Sequence, residues 1–127
     1  MRTTVSNGSL KLTGENAVGW WSMDDDSDTT VHDLTSYAND GSMNGGMDTS
    51  DYVSGKWGNA LDFDGTDYVE VSDDDSLDIE DQITLSAWVR PAQGGYVEET
   101  LLEKHSSNWK IPYRLERNRW GGWEVSF

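Results

Sequence analysis

The sequence has no cysteine, only two prolines among its 127 residues, and no long apolar run. Without cysteine, disulfide bonds add nothing to the stability of the fold. A membrane span needs about 20 consecutive apolar residues, and neither such a run nor the apolar core of a signal peptide occurs. We therefore expect no membrane insertion, and we expect stability to come from packing and hydrogen bonds.

Basic residues are scarce as well: nine Lys and Arg stand against 24 Asp and Glu, which gives a net charge of −15. Such a chain repels nucleic-acid phosphates and has no basic patch to offset the repulsion, so we expect no nucleic-acid partner. Its acidic surface repels itself in dilute buffer, whereas salt at about 1 M shortens the Debye length to about 3 Å. We therefore predict a halophilic or salt-tolerant source. An acidic extracellular domain that mainly collects calcium is the alternative.

The chain is rich in aromatic residues and glycine: seven Trp, five Tyr and 13 Gly accompany short alternating apolar and polar runs. This composition favours an all-β fold. A chain of 127 residues has the length of one domain and can bury about two thirds of its unfolded surface. Met1–Gly8 is polar, and we expect it to fray. Strands are predicted at Ser9–Thr13, Ala17–Met23, Ile83–Val89, Thr100–Lys104, Tyr113–Arg117 and Trp123–Phe127, the last two as a hairpin.

The stretch Ala60–Val71 has the clearest hairpin pattern. Leu61 and Phe63 alternate with aspartates before Asp64–Asp67, and Tyr68–Val71 alternates after it. The segment Asp64–Asp67 contains a glycine that accepts positive φ and two turn-forming aspartates. We therefore predict two short strands that pair across this turn.

Four motifs follow one another between Val18 and Pro91. They are Gly19–Asp24, Asp33–Gly41, Gly55–Gly65 with Tyr68–Val71, and Ile83–Pro91. In this order they resemble the signature of the laminin-G-like, concanavalin A-like jelly-roll domains. The resemblance implies an antiparallel two-sheet β-sandwich, with residues 1–127 forming a single domain. Because this fold carries many activities, the resemblance speaks to architecture more than to function.

The acidic run Asp24–Asp28 cannot be buried without partners. A charge run of this kind is usually a solvated loop. The alternative is a calcium site, because calcium takes six to eight oxygen ligands. The resemblance implies a structural calcium ion where this run meets the loop Asp33–Gly41, and the residues that match the family's ligand positions are Asp25, Asp33, Asn39 and Asp40. We expect the nearby His32 to pack or face solvent rather than bind metal.

Aromatic and basic residues cluster late in the chain. The cluster contains Trp109, Tyr113, Trp120 and Trp123 together with three arginines, Arg114, Arg117 and Arg119. Aromatic faces stack on sugar rings, and arginine binds carboxylates in a bidentate fashion. We therefore predict Trp109, Tyr113 and Trp120 as carbohydrate-binding residues. The alternative is that the aromatics fill the core while the arginines offset neighbouring acids.

Catalytic patterns are incomplete. Related jelly-roll glucanases carry Glu-x-Asp-x-Glu, in which two carboxylates hydrolyse a glycosidic bond. Asp78 and Glu80 match the last two positions, but Ser76 stands where the nucleophile belongs. No residues that would complete a catalytic set with His32 or His105 stand out in the sequence. Neither a phosphate-binding loop nor the spacing of zinc ligands occurs. We therefore expect no enzyme activity.

The resemblance also implies further strands after Trp123–Phe127, so we expect a jelly roll that is incomplete at this end, with open edges available for self-association. The leading hypothesis is a non-catalytic extracellular recognition module, secreted or displayed on a cell or particle surface. It would bind carbohydrate or glycoprotein and hold a structural calcium ion. The second hypothesis is a structural or adhesion module whose partner is a protein.

Overall fold

The computed structural model describes residues 2–6, 9–13, 17–91, 98–105 and 112–127. Strands dominate these ranges, helix is limited to two short 3-10 turns, and every strand pair is antiparallel. The chain is therefore all-β. None of the described helices is long and apolar enough to cross a membrane. The strands are β1 (Arg2–Ser6), β2 (Ser9–Thr13), β3 (Thr30–Val31), β4 (Gly41–Asn44), β5 (Tyr52–Ser54), β6 (Asn59–Leu61), β7 (Tyr68–Val71), β8 (Glu99–Lys104), β9 (Tyr113–Arg117) and β10 (Trp123–Ser126).

The chain divides into two compact units, Met1–Ser76 and Leu77–Phe127. In the first unit, β1 pairs with β2, β3-β4-β7 form a three-stranded sheet, and β5 pairs with β6. The strand predicted at Ser9–Thr13 is confirmed. The fraying expected for Met1–Gly8 is wrong, because β1 forms a ladder with β2 over Arg2–Ser6.

The core of the first unit lies on one face of the β3-β4-β7 sheet. Val31, Met43 and Met47 are buried, and Trp21 and Val69 are among the partly buried side chains that pack against them. Alternation explains this face, because Met43 lies opposite Val69 in the β4–β7 ladder. In the same ladder Gly41 lies opposite Val71, and a Cβ at Gly41 would overlap the Val69 side chain. The close approach of β4 and β7 therefore requires glycine here.

The hairpin predicted for Ala60–Val71 is wrong in its pairing. Strands form at both ends of the stretch, but β6 pairs with β5 and β7 pairs with β4. The turn between them forms as predicted: the Asp64 side chain accepts from the N–H of Thr66 at 2.7 Å, and Asp67 accepts from the N–H of Asp64 at 3.0 Å. This aspartate turn connects strands of two sheets instead of closing one ladder.

The second unit contains the three-stranded sheet β8-β9-β10. The predicted hairpin of β9 and β10 is confirmed, with Trp123 opposite Arg117 and Val125 opposite Leu115. The strand predicted at Thr100–Lys104 is also confirmed as part of β8, which carries a bulge between Thr100 and Leu102.

Two predicted strands do not form ladders. Ile83–Val89 has an alternating sequence, yet no strand is assigned to it. Ala17–Met23 contributes a single isolated bridge, Trp21 opposite Asp33. Alternation shows that a segment suits an extended conformation, but a ladder also needs a neighbouring strand over several residues. In the part of the chain that the structure describes, Ile83–Val89 has no ladder partner, and Ala17–Met23 has only the short contact with Asp33–Leu34.

Candidate functional site

Asp33 is the centre of a dense hydrogen-bond network in the first unit. The side chain is 7% exposed. One carboxylate oxygen accepts from the N–H groups of Trp20 at 2.8 Å and Thr35 at 2.9 Å. The other accepts from the Thr35 hydroxyl at 2.7 Å and the Asn39 N–H at 3.0 Å. Burial opposes the charge, but these donors from Thr35, Trp20 and Asn39 outweigh it and lower the pKa of Asp33.

Asn39 continues the same network. Its side-chain nitrogen donates to the Val18 carbonyl and to the Ser76 hydroxyl, both at 3.0 Å. Its main-chain oxygen accepts from the Trp21 indole at 2.8 Å. The preceding Ala38 has a φ of 53°, a left-handed conformation that turns the chain at this point. Asp33 and Asn39 thus tie the loop to the segment around Trp20 and to the end of the first unit.

The network bears on the calcium prediction. An ionised carboxylate has about four lone-pair positions, and protein donors occupy this number at Asp33. In this arrangement these donors would compete with a calcium ion for the Asp33 carboxylate. Among the described residues, no group of three or more His, Cys, Asp or Glu side chains that could hold a metal is found. Calcium binding stays a prediction. Asp25 and Asp40 are the exposed carboxylates among the predicted ligands, whereas Asp33 is buried.

Asp25 and Asp40 lie on either side of His32. The imidazole Nε2 is 3.7 Å from an Asp25 carboxylate oxygen, and Nδ1 is 3.3 Å from an Asp40 oxygen. The other Asp40 oxygen accepts from the Asp33 N–H at 2.8 Å. Hydrogen bonds from the Ser27 hydroxyl and N–H lower the pKa of Asp25. The four predicted ligands therefore separate into a buried pair, Asp33 and Asn39, and an exposed pair around His32.

A cavity of about 200 Å³ adjoins this imidazole. Ser22, Asp25, His32 and Tyr52 provide its polar lining, and the rest is apolar. The Tyr52 hydroxyl is buried and has no hydrogen-bond partner among the residues that the structure describes. Burial raises the pKa of Tyr52, and the nearby aspartates add to the effect. Sequence reasoning missed Tyr52, because nothing in its local pattern connects it with His32.

The hairpin between β9 and β10 presents an aromatic side chain on a rigid turn. Asn118 organises the turn: its side-chain oxygen accepts from the N–H groups of Trp120 at 3.0 Å and Gly122 at 2.9 Å. Gly121 has a φ of 80°, which glycine adopts without strain. Trp120 is 79% exposed at the tip. The turn therefore fixes the backbone beneath a solvent-exposed indole.

The three predicted carbohydrate-binding residues differ in placement. Trp120 is exposed, whereas Tyr113 is only 5% exposed. The Tyr113 hydroxyl donates to the Leu77 carbonyl at 3.1 Å, so its ring belongs to the core of the second unit. Trp109 lies outside the described residues. Of the two that the structure describes, Trp120 has the indole that is open to a ligand, and Trp123 on β10 is another exposed aromatic nearby in sequence.

The arginines around this hairpin already have acidic partners. Arg117 lies 3.2 Å from Glu99, and Arg119 lies 3.3 Å from Glu98. Asp78, one of the two residues that match the glucanase pattern, pairs with Lys104 at 3.2 Å. The ion pairs of Arg117 and Arg119 therefore balance the two basic charges that lie next to Trp120 in sequence.

No family model matches the chain, and no curated protein or solved structure matches it either. The laminin-G-like resemblance therefore stays a prediction that rests on the four sequence motifs.

Proposed function

We propose that this protein is a non-catalytic recognition module of the concanavalin A-like type that binds carbohydrate through the exposed indole of Trp120. The observation that carries the proposal is the combination of a 79% exposed tryptophan with a turn held by Asn118. An exposed aromatic face provides a surface on which a sugar ring can stack. A fixed backbone also reduces the ordering cost of binding.

The surrounding charges favour a neutral sugar over a carboxylated one. Arg117 and Arg119 are already paired with glutamates, so neither is available to grip a ligand carboxylate without breaking an ion pair. The net charge of −15 also repels polyanionic glycans. We therefore propose that the ligand is a neutral glycan, either free or attached to a glycoprotein. Binding would take place outside the cell or at a cell or particle surface.

A screen of neutral and acidic glycans in about 1 M salt tests the proposal. We expect neutral hits whose affinity falls roughly tenfold, equivalent to about 1.4 kcal/mol, in Trp120→Ala. The matched control is Trp57→Ala, because Trp57 is also an exposed tryptophan but belongs to the first unit. Equal losses in both variants, or no neutral hit with the folded protein, would refute the proposal.

The second candidate function, a structural or adhesion module with a protein partner, is favoured by a different observation. Strand β10 lies at the edge of its sheet, and all four of its residues are exposed. A chain that fails the glycan screen but associates through this edge would belong to that class.

A further inference from the structure

In the part of the chain that the structure describes, strand β10 has one open edge and an apolar face. Within the described residues it pairs with β9 alone. Trp123 and Val125 lie on one face of the strand, and Phe127 follows at the same period. Their exposed fractions are 48%, 61% and 60%. An exposed edge strand of this kind invites pairing with another strand.

The backbone groups that β10 offers can be identified from its ladder with β9. The Asn118 N–H donates to the Gly122 carbonyl at 2.8 Å, and the strands continue in register to Glu116 opposite Glu124 and Leu115 opposite Val125. Hydrogen-bonded and non-bonded pairs alternate along an antiparallel ladder. Glu124 therefore bonds to β9, whereas the N–H and C=O of Val125 point to the open edge.

Several other strand edges in the described chain are shorter, carry more charge or face the core. Edge strand β7 has four residues and one charged side chain, Glu70, but its Val69 packs against the core. Strands β3, β5 and β6 have two or three residues each. Strand β8 includes Glu99, Glu103 and Lys104, and charges on an edge discourage pairing. The single charged side chain of β10, Glu124, accepts a hydrogen bond from the Asn118 amide. Unlike these strands, β10 has four exposed residues.

The sequence of β10 is complementary to itself in one antiparallel register. When Val125 of one copy faces Val125 of another, Trp123 faces Phe127 and Glu124 faces Ser126. All apolar side chains then share one face, and no two like charges stand opposite each other. A register centred on Glu124 would oppose two carboxylates and would need backbone groups that β9 already uses.

Strand β10 lies in the less acidic of the two units. Residues 77–127 contain eight acidic and six basic residues, a net charge of −2, whereas residues 1–76 contain 16 and three, a net charge of −13. Repulsion between the strands that would meet is therefore smaller than the total charge suggests. Repulsion between whole chains persists, and salt weakens it.

We propose that two copies of this chain associate by antiparallel pairing of β10 with β10, centred on Val125. The two sheets then form one continuous six-stranded sheet with a two-fold axis at Val125. This proposal goes beyond glycan recognition and does not depend on it, because it uses Val125 and the strand backbone and leaves Trp120 in the turn.

Cross-linking tests the register in a chain that has no cysteine of its own. In a hydrogen-bonded antiparallel pair the Cα atoms are about 5.5 Å apart, a separation that a disulfide spans. We expect Val125→Cys to form a disulfide dimer under mild oxidation in about 1 M salt. Ser126→Cys is the matched control, because Ser126 faces Glu124 and not itself. Equal cross-linking of the two variants would overturn the register.

Sedimentation equilibrium tests whether the open edge of β10 mediates dimerisation. We expect the wild-type protein to dimerise, with a dissociation constant that falls several-fold as salt rises. Val125→Pro removes the outward N–H without removing a bond to β9, and we expect a monomer, whereas Val125→Thr keeps the N–H and stays dimeric. If Val125→Pro loses its circular dichroism, Val125→Lys replaces it and opposes two cations at the axis. A folded wild type that stays monomeric at high concentration and high salt would overturn the proposal. A dimer that persists in folded Val125→Pro or in Val125→Lys would also overturn it.

Discussion

The Tyr113 hydroxyl donates a hydrogen bond to the Leu77 carbonyl at 3.1 Å, and both residues are buried. Tyr113 begins β9, and Leu77 ends a 3-10 turn at the start of the second unit. The bond therefore joins two parts of that unit that are distant in sequence.

We expect Tyr113→Phe to lower the free energy of unfolding by about 1 kcal/mol, because it leaves a buried carbonyl without its donor. Urea denaturation measures the change. Tyr68→Phe is the control, since Tyr68 is exposed on β7 and should change stability little. An unchanged midpoint in Tyr113→Phe would contradict the importance of this bond.

Stability should also fall at alkaline pH. Burial raises the pKa of Tyr113 above its ordinary value of 10.0. The folded state therefore holds this proton more tightly than the unfolded state does. The protonated hydroxyl contributes to the free energy of unfolding below about pH 10, and this contribution is lost as the pH rises through the folded pKa. Thermal unfolding at pH 9 to 11 measures the decline, which should be smaller in Tyr113→Phe. Parallel pH profiles for the two proteins would contradict the prediction.

In the first unit, Asp33→Asn should lower the free energy of unfolding by about 2 kcal/mol. The amide replaces an ionised carboxylate that accepts four hydrogen bonds. The lowered pKa of Asp33 adds stability above the unfolded value and loses it as the pH falls through the folded pKa. Chemical denaturation at pH 7 and at pH 2 to 4 measures both effects. The exposed Asp26→Asn is the control, and equal losses in the two variants would contradict a special role for Asp33.

Calcium should raise the melting temperature by mass action if Asp25 and Asp40 hold it. We expect a rise at millimolar calcium in high sodium chloride, with none for magnesium and none in the double variant Asp25→Asn, Asp40→Asn. Asp48→Asn is the control, because Asp48 caps the 3-10 turn at Thr49–Asp51 instead. Isothermal titration measures the stoichiometry. The same melting temperature with calcium and with chelator would leave the acidic run as a solvated loop.

Folding should depend on salt, because the net charge of −15 opposes compaction in dilute buffer. We expect the far-ultraviolet circular dichroism to develop as sodium chloride rises towards about 1 M, where the Debye length is about 3 Å. A full β-sheet spectrum in salt-free buffer would contradict the halophilic prediction.

The all-β class and the β9–β10 hairpin could be predicted from sequence, since alternation and the turn residues between Asn118 and Gly122 are local signals. The partners of β6 and β7 could not, because an alternating segment specifies its faces without specifying its neighbour. The aspartate turn at Asp64–Asp67 suits a hairpin and a connection between sheets equally well.

The same limit applies to the site. Sequence singled out Asp33 through a family resemblance, but its four donors include Trp20, which no spacing rule connects to it. The cavity beside His32 depends on Tyr52, which only the folding of β5 brings there. Tyr113 and Trp120 looked alike in sequence, and their burial separates them.

The uneven division of charge between residues 1–76 and 77–127 has a consequence for how the chain comes apart. Removing salt strengthens the repulsion between like charges, and this effect is far larger in the unit with a net charge of −13 than in the unit with −2. We expect the acidic unit to expand first and the β8-β9-β10 sheet to persist. Low ionic strength would then produce a partly folded chain, and its unfolding would proceed in two stages that high salt merges into one.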